Sequence, residues 1–206
     1  PIQLGRAPFS VSVLGGETLR ERETGLFLQE SLQALPGLQV QNRYNFAVGE
    51  RLSVRGQGAR AQFGVRNLQI LLDEVPATLP DGQATLDHID PLALGRVELL
   101  RGPASSLYGN GTGGVLRFQT RAPSPGTWNQ EIGLVGGSRN LSRVSSITSG
   151  AVGSTGYFLA LGWMDTDGYR ALPEAGHQSY GGARRLNLHG RFNRPALGGE
   201  LQASVN

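Results

Sequence analysis

The sequence predicts a small α+β unit followed by antiparallel strands of a membrane-spanning β-barrel, and three observations support this. Residues 1 to about 122 mix short strand candidates with one amphipathic helix candidate, and glycine-rich loops separate them. From residue 127 onward, apolar and polar residues alternate in successive segments, as in a sheet with one apolar and one wet side. The connections between these segments differ in length, as they do in membrane barrels.

The α+β unit begins with a strand candidate at 9–14. Thr24 is then predicted to cap a helix over residues 25–34. The apolar stripe of this helix consists of Leu28, Leu32 and Leu35. Further strand candidates follow at 38–41, 51–55, 68–73, 96–101 and 115–120.

Five strand candidates follow in the second part, at 128–134, 141–152 (with poorer alternation), 157–164, 185–192 and 200–205. Alternation alone leaves two possibilities equally open, an ordinary antiparallel sheet over a core and a barrel with Trp128 and Trp163 near the lipid interfaces. The connections favour the barrel, because after one short outer connection at 137–140 the connection at 164–180 is long, while those at 153–156 and 194–199 are short. Five strands cannot close a barrel, and an open edge in lipid leaves backbone groups unsatisfied, so we expect the 206 residues to be part of a longer polypeptide.

The composition narrows the class of protein. The absence of cysteine is consistent with a protein that crosses an oxidising compartment, where stray thiols mispair. The net charge of +3 comes from interleaved acids and bases without a basic stripe, which argues against a nucleic-acid groove. No apolar stretch reaches the roughly 18 to 20 residues of a transmembrane helix, and the chain starts without a signal-peptide pattern, so we expect any signal peptide to have been removed.

Several phrases occur in a fixed order along the first part of the chain. They are LPGLQV at 35–40, LSVRG at 52–56, LLDEVP at 71–76, IDP at 89–91, RVELLRGPASSLYG at 96–109 and GGVLRFQT at 113–120. Together they resemble the plug domain of TonB-dependent receptors over roughly residues 8–121. The phrase LPDGQ at 79–83 further resembles a subgroup that includes receptors linked to import of pyrroloquinoline quinone. Asp73-Glu74 departs from the pattern, because the family usually has Asp-Gly there.

The resemblance implies a plug at residues 1–122 that fills a barrel of about 22 strands, of which residues 123–206 supply about five. Such a receptor lies in the bacterial outer membrane with its N-terminus in the periplasm. TonB, a partner protein, pulls on the plug's N-terminal segment, and its recognition box is not recognisable before Phe9, so we expect that box outside this chain. The resemblance implies no covalent chemistry, and therefore no catalytic residues and no resident cofactor.

Arg55 and Arg101 lie in the two Arg-Gly phrases. The resemblance implies that each arginine pairs with a barrel glutamate and locks the plug to the wall. A guanidinium fork suits bidentate pairing with a carboxylate. The alternative is that both are solvated arginines at strand ends.

The resemblance also places certain loops of the plug at its outward-facing tips. The ligand-binding candidates on these loops are Arg43, Tyr44, Gln62, Phe63, Leu79, Asp81 and Gln83. An arginine with aromatic rings and amides suits an anionic, partly aromatic small molecule, such as a ferric siderophore or a redox cofactor. The alternative is that these residues merely form polar loops.

Two further motifs have simpler structural explanations. The glycines at 109–114 match the dinucleotide fingerprint of a soluble enzyme, but residues 115–120 resemble a strand and not the required helix, so we expect a tight turn. His88 with Asp87 and Asp90 lacks a recognised metal-ligand spacing, and an acid-rich helix start explains the group. A passive porin or adhesin built on the same barrel is a third possibility, although it needs no plug.

Overall fold

The computed structural model describes residues 10–20, 24–42, 44, 46, 49–61, 64–102, 108, 111–124, 126, 128–171, 179–196 and 199–205. The chain forms two compact units, Pro1–Arg121 and Ala122–Asn206. Within the described residues, no helix has both the length and the apolar character needed to cross a membrane.

Short strands dominate the first unit. In chain order its elements are β1 (Ser10–Gly15), α1 (Gly16–Arg20), α2 (Gln29–Leu32), β2 (Leu38–Gln41), β3 (Arg51–Val54), β4 (Val65–Arg66), β5 (Leu68–Leu72), β6 (Val75–Pro76), β7 (Gln83–Ala84), a 3₁₀ helix (Pro91–Ala93), β8 (Leu94–Arg101) and β9 (Gly114–Thr120). The main sheet has the order β1-β8-β9-β5-β6, and β2-β3 and β4-β7 form two small ribbons. All pairs are antiparallel except β5 with β9, so the sheet is mixed as predicted.

The core of this unit lies on the main sheet. Ile70, Leu99, Leu116 and Phe118 from its three inner strands are completely buried. The leucines of the predicted helical stripe, Leu28, Leu32 and Leu35, are buried as well. The near-continuous apolar run of β5 fits its inner position, because a strand covered on both faces has no wet side. Strand β9 also carries Arg117 and Gln119, which are only partly buried.

The predicted helix is shorter in the structure, since α2 covers only Gln29–Leu32 and Thr24 does not cap it. The carboxylate of Glu30 instead accepts hydrogen bonds from the Thr24 hydroxyl (2.7 Å) and from the Phe27 backbone N–H (3.2 Å). Gly25 has a left-handed φ of 72°, which breaks the helical path. The carboxylate therefore holds residues 24–27 as a loop, and the helix begins later.

The strand predictions for this unit hold to within two residues at each end. The prediction missed α1 and the three two-residue strands β4, β6 and β7. Strands this short contain no measurable period, so only their pairing partners reveal them.

The second unit is an antiparallel meander with strand order β10-β11-β12-β15-β16. Its strands are β10 (Asn129–Gly136), β11 (Ser142–Val152), β12 (Thr155–Thr166), β13 (Arg170–Ala171), β14 (Ser179–Tyr180), β15 (Ala183–Ala196) and β16 (Gly199–Val205). The small ribbon β13-β14 lies in the long connection between β12 and β15. All five predicted strands are present, including the one with poorer alternation.

The two faces of this meander differ in chemistry. Cross-strand register places large apolar side chains on one exposed face, among them Ile132, Leu134, Val144, Leu161, Trp163, Leu186 and Leu188. The opposite face carries Arg143, Ser145, Phe158, Met164 and His189, all of them buried. The exposed face is thus mainly apolar, and the opposite face combines polar side chains with Phe158 and Met164. An apolar outer face and an inner face that holds the charged and polar groups are typical of membrane barrel strands.

Candidate functional site

A closed turn between β6 and β7 carries three of the predicted ligand residues. Leu79 donates its backbone N–H to the Gln83 carbonyl (2.8 Å), and the Gly82 N–H donates to the Leu79 carbonyl (2.9 Å). The Asp81 side chain accepts a hydrogen bond from the Gln83 N–H (3.0 Å). Pro80 and Asp81 occupy the middle of this turn and Gly82 has a φ of 78°, which is the chemistry that such a turn requires.

Arg66 faces this turn from the neighbouring strand, because β4 pairs with β7 and Arg66 lies opposite Gln83. Its Nη2 donates to Gln83 Oε1 (3.0 Å) and lies 3.8 Å from Asp81 Oδ2. The side chains of Arg66 and Asp81 are 48% and 57% exposed, so this ion pair contributes at most about 1 kcal/mol to stability. The ion pair instead orients the Arg66 guanidinium, which is held beside the Asp81 carboxylate.

A cavity of about 210 Å³ opens at this point, lined by Arg66, Asn67, Asp81, Gly82 and Thr112, and we name it the Arg66 pocket. It is smaller than the roughly 300–1,000 Å³ of typical ligand sites, so it fits one polar part of a larger ligand. A guanidinium, a carboxylate, an amide and a hydroxyl line it, which offers both donors and acceptors without a net charge.

Sequence reasoning selected Asp81 but missed Arg66, Asn67 and Thr112. Gly113 brings the Thr112 segment close, because its N–H donates to the Asn67 carbonyl (2.8 Å) and a Cβ there would lie 2.9 Å from that oxygen. The glycines at 109–114 were therefore the sequence signal for this pocket, because glycine permits close backbone approach. Which residues they approach is seen only in the tertiary structure.

The other ligand candidates are distributed differently. Tyr44 is exposed, its N–H donates to Asn42 Oδ1 (2.7 Å), and its ring packs edge-on against Phe27 at 5.8 Å. Phe27 also stacks on Phe46 at 5.0 Å. Leu79 is exposed at the start of the turn and does not line the Arg66 pocket. The remaining candidates, Arg43, Gln62 and Phe63, lie outside the described residues.

The two arginines of the Arg-Gly phrases have different surroundings. Arg55 is exposed with a left-handed φ of 49°, and its guanidinium has no hydrogen-bonding partner among the residues that the structure describes. Arg101 is half-buried and donates from Nε to the Pro36 carbonyl (2.9 Å) and from Nη1 to Ser10 Oγ (2.8 Å). Its Nη2 donates to Ser12 Oγ. Arg55 is thus open to an external carboxylate, while Arg101 already joins two parts of its own unit.

The family model described as TonB-dependent Receptor Plug Domain matches residues 3–115, more than half of the chain. The chain belongs to this family. TonB-dependent receptors lie in the bacterial outer membrane, and so does the protein that contains this plug.

Similar proteins extend the likeness beyond the plug. The vitamin B12 transporter BtuB of Photobacterium profundum is 31% identical over 166 residues, which cover 78% of this chain and 26% of that protein. The hemin receptor of Yersinia enterocolitica is 32% identical over 117 residues, which cover 55% of this chain and 16% of the receptor. The chain therefore spans about a quarter or less of the length of these curated relatives.

The ferric yersiniabactin uptake receptor FyuA from Yersinia pestis has a similar solved structure, with a TM-score of 0.71 at 24% identity. The match covers 90% of this chain and 29% of FyuA. Because it extends well past residue 115, the likeness includes the meander as well as the plug. The predicted fold class, a mixed plug sheet followed by barrel strands, is confirmed.

The glycine motif of the plug does not have the surroundings of a nucleotide site. Gly114 begins strand β9, whereas a dinucleotide fingerprint requires a helix at that point. Gly114 has a φ of 139°, and a Cβ there would lie 2.3 Å from the Leu100 carbonyl oxygen. The glycine is needed for close backbone approach between β8 and β9.

His88 and its acidic neighbours lie at the start of the 3₁₀ helix of the plug. Asp90 caps this helix, because its Oδ1 accepts a hydrogen bond from the Leu92 N–H (3.0 Å). Displacement of water by neighbouring atoms lowers the pKa of His88, and the charge of Asp87 acts in the opposite direction. Across the described part of the chain, no group of three or more His, Asp or Glu side chains is arranged to hold a metal ion.

Proposed function

We propose that this chain is the plug and first barrel segment of an active importer, which carries a scarce nutrient complex across the bacterial outer membrane. The main support for this proposal is that one chain joins a plug unit to antiparallel strands with an exposed apolar face. The cargo is a ferric siderophore or a similar small anionic cofactor. The relatives are a vitamin B12 transporter and receptors for hemin and ferric siderophores, which supports cargo of this general kind.

Import in this proposal uses TonB as the energised partner, bound through a segment that precedes the plug. Residues 1–122 act as the plug and residues 123–206 as part of the barrel wall. Arg55 and Arg101 bind barrel glutamates and hold the plug at rest. The exposed guanidinium of Arg55 supports this for the first arginine.

The ligand binds the outward-facing loops of the plug. Its contacts are the sequence candidates Arg43, Tyr44, Gln62, Phe63, Leu79, Asp81 and Gln83, to which we add Arg66. The Arg66 pocket supports this placement, because it offers a charged donor beside a carboxylate at the surface of the unit. The protein is a receptor without covalent chemistry of its own.

Two other functions are less well supported. A passive porin or adhesin needs no plug, yet the plug family match covers residues 3–115. A soluble nucleotide-binding enzyme needs a helix after Gly114, where the structure has β9. Uptake that continues after collapse of the proton gradient would favour the passive porin over active import.

Ligand titration of the complete receptor in detergent tests the proposal, with tryptophan fluorescence as the signal. The panel consists of a ferric siderophore, hemin, vitamin B12 and pyrroloquinoline quinone. We expect one member to bind saturably. Arg66→Gln and Asp81→Asn should each raise the Kd of this ligand by about tenfold, because each removes one charged hydrogen-bonding group.

Arg96→Gln is the matched control, since the Arg96 side chain is 47% exposed and pairs with Glu98 on its own strand. This variant should bind with the wild-type Kd. A saturable ligand whose Kd is the same in all three variants would contradict the assignment of the Arg66 pocket. If no panel member binds, the cargo belongs to another class.

A further inference from the structure

The side chain of Arg101 connects the first strand of the plug to two other segments. Its three hydrogen bonds reach the Ser10 and Ser12 hydroxyls on β1 and the Pro36 carbonyl after α2. These acceptors lie 91, 89 and 65 residues away along the chain. A charged donor makes such bonds stronger than those between neutral groups. Arg101 therefore fixes β1 against both β8 and the 36–37 loop.

Apart from these side-chain hydrogen bonds, few interactions hold strand β1 in place. Within the part of the chain that the structure describes, it is the edge strand of the main sheet and pairs only with β8. Of its six residues only Leu14 is buried, while Ser10 and Gly15 are exposed. Segments with few buried apolar contacts open at low free energy, so side-chain bonds have a large effect on this strand.

The bonds also lie at a particular end of the strand. Ser10 is opposite Arg101 in the register, whereas Gly15 at the other end is opposite Arg96. Any tension on the chain before Ser10 reaches the Ser10–Arg101 pair first. An antiparallel pair that is loaded at one end opens residue by residue, so the bonds of Arg101 are the first to carry the load.

We propose that Arg101 is a positioning residue that latches β1 onto the plug at rest, and that β1 detaches when its bonds to Ser10 and Ser12 break. We name Arg101, Ser10, Ser12 and the Pro36 carbonyl the Arg101 latch. Arginine has five N–H donors and the latch uses three, so two remain for a barrel carboxylate. The use of the latch during import rests on the proposed function, but the bonds of the latch require neither ligand nor TonB.

Hydrogen exchange of the complete receptor, without ligand and without TonB, tests the latch. Ser10→Ala combined with Ser12→Ala removes two acceptors and leaves Arg101 able to pair elsewhere. We expect the amides of β1 to exchange about tenfold faster in this variant, because two charge-assisted bonds no longer oppose local opening. Arg101→Lys should have the same effect, since one ammonium cannot replace a planar fork that reaches three acceptors.

Two controls distinguish the latch from general destabilisation. Ser10→Thr with Ser12→Thr keeps both hydroxyls and should exchange at the wild-type rate. Arg96→Lys alters the other end of the same strand pair and should leave β1 unchanged. Wild-type exchange of β1 in the double alanine variant would overturn the proposal, and so would equal acceleration in β1 and in β5. Because neither ligand nor TonB is present, failure of the import proposal would not alter either outcome.

Discussion

Asp73 and Glu74 close the turn between β5 and β6 with left-handed φ values of 48° and 68°. A two-residue hairpin of this kind favours Asn or Asp followed by Gly, so Glu74 is strained. Its carboxylate forms an ion pair with Arg117, which also donates to Glu98 Oε2 (2.7 Å). Burial acts to lower the pKa of Arg117, but Glu74 and Glu98 outweigh it and raise the pKa. The ion pair thus offsets the strain at this residue.

Substitutions at the adjacent residues Asp73 and Glu74 should differ in their effect on stability. Asp73→Ala removes hydrogen bonds from the Thr120 N–H (2.8 Å) and hydroxyl (2.6 Å), so we expect the plug to lose about 2 kcal/mol of its free energy of unfolding. Glu74→Gly removes both a strained conformation and an exposed ion pair, so the change should stay within about 1 kcal/mol. Exchange of the β5 and β9 amides in the complete receptor measures both values. A larger loss from Glu74→Gly would contradict this account.

At the scale of elements, register decides which face of each barrel strand meets lipid. Leu188 and Asn187 are neighbours on β15, and their side chains lie on opposite faces of the sheet. In the register, Leu188 pairs with Leu161 of β12, and Asn187 pairs with Gly162. The exposed face also carries Gln130 and Ser146, which hydrogen-bond to each other (Nε2 to Oγ, 2.9 Å). Polar side chains on a lipid-facing surface are costly unless they are hydrogen-bonded, and this bond offsets part of that cost.

Leu188 and Asn187 give a matched test of the lipid-facing side. Leu188→Arg should destabilise the folded barrel by about 2–4 kcal/mol, because it places a charge among apolar groups in the bilayer. Asn187→Arg, one residue away on the polar face, should cost much less. Folding of the complete receptor into lipid vesicles, followed in increasing denaturant, measures both. Equal destabilisation by the two variants would mean that the apolar face does not meet lipid.

For the whole molecule, the import proposal requires the plug to change while the barrel stays closed. Val11 and Leu100 lie opposite each other in the β1–β8 pair, and the chain has no cysteine of its own. Directly opposed strand residues are within the range that a disulfide bridges. Cysteines at both positions therefore make a reversible covalent link between β1 and the plug sheet.

The oxidised Val11→Cys, Leu100→Cys receptor should bind the panel compound identified by titration but fail to import it, because β1 cannot detach. Addition of a reductant should restore uptake to the level of the reduced receptor. The single variant Val11→Cys is the control and should import under both conditions. Uptake that is unaffected by the oxidised link would show that import proceeds with β1 in place.

The sequence alone determined the class of fold and most of the strands. Alternation of period two identified all five meander strands, because a pleated strand sends successive side chains to opposite faces. The ordered phrases from residue 35 to residue 120 predicted the plug, and the family match confirmed it. These patterns are local in the sequence, so they can be identified without knowledge of the tertiary structure.

Only the tertiary structure decided which side chains meet. Arg66 reaches Gln83 because β4 pairs with β7, two strands that are too short to carry a periodic signal. Arg101 reaches Ser10 across 91 residues because β1 and β8 are adjacent in the main sheet. Hydrogen-bond partners of this kind depend on the order and register of distant strands, which no local pattern encodes. For that reason the Arg66 pocket and the Arg101 latch follow from strand pairing, whereas the strands themselves follow from the sequence.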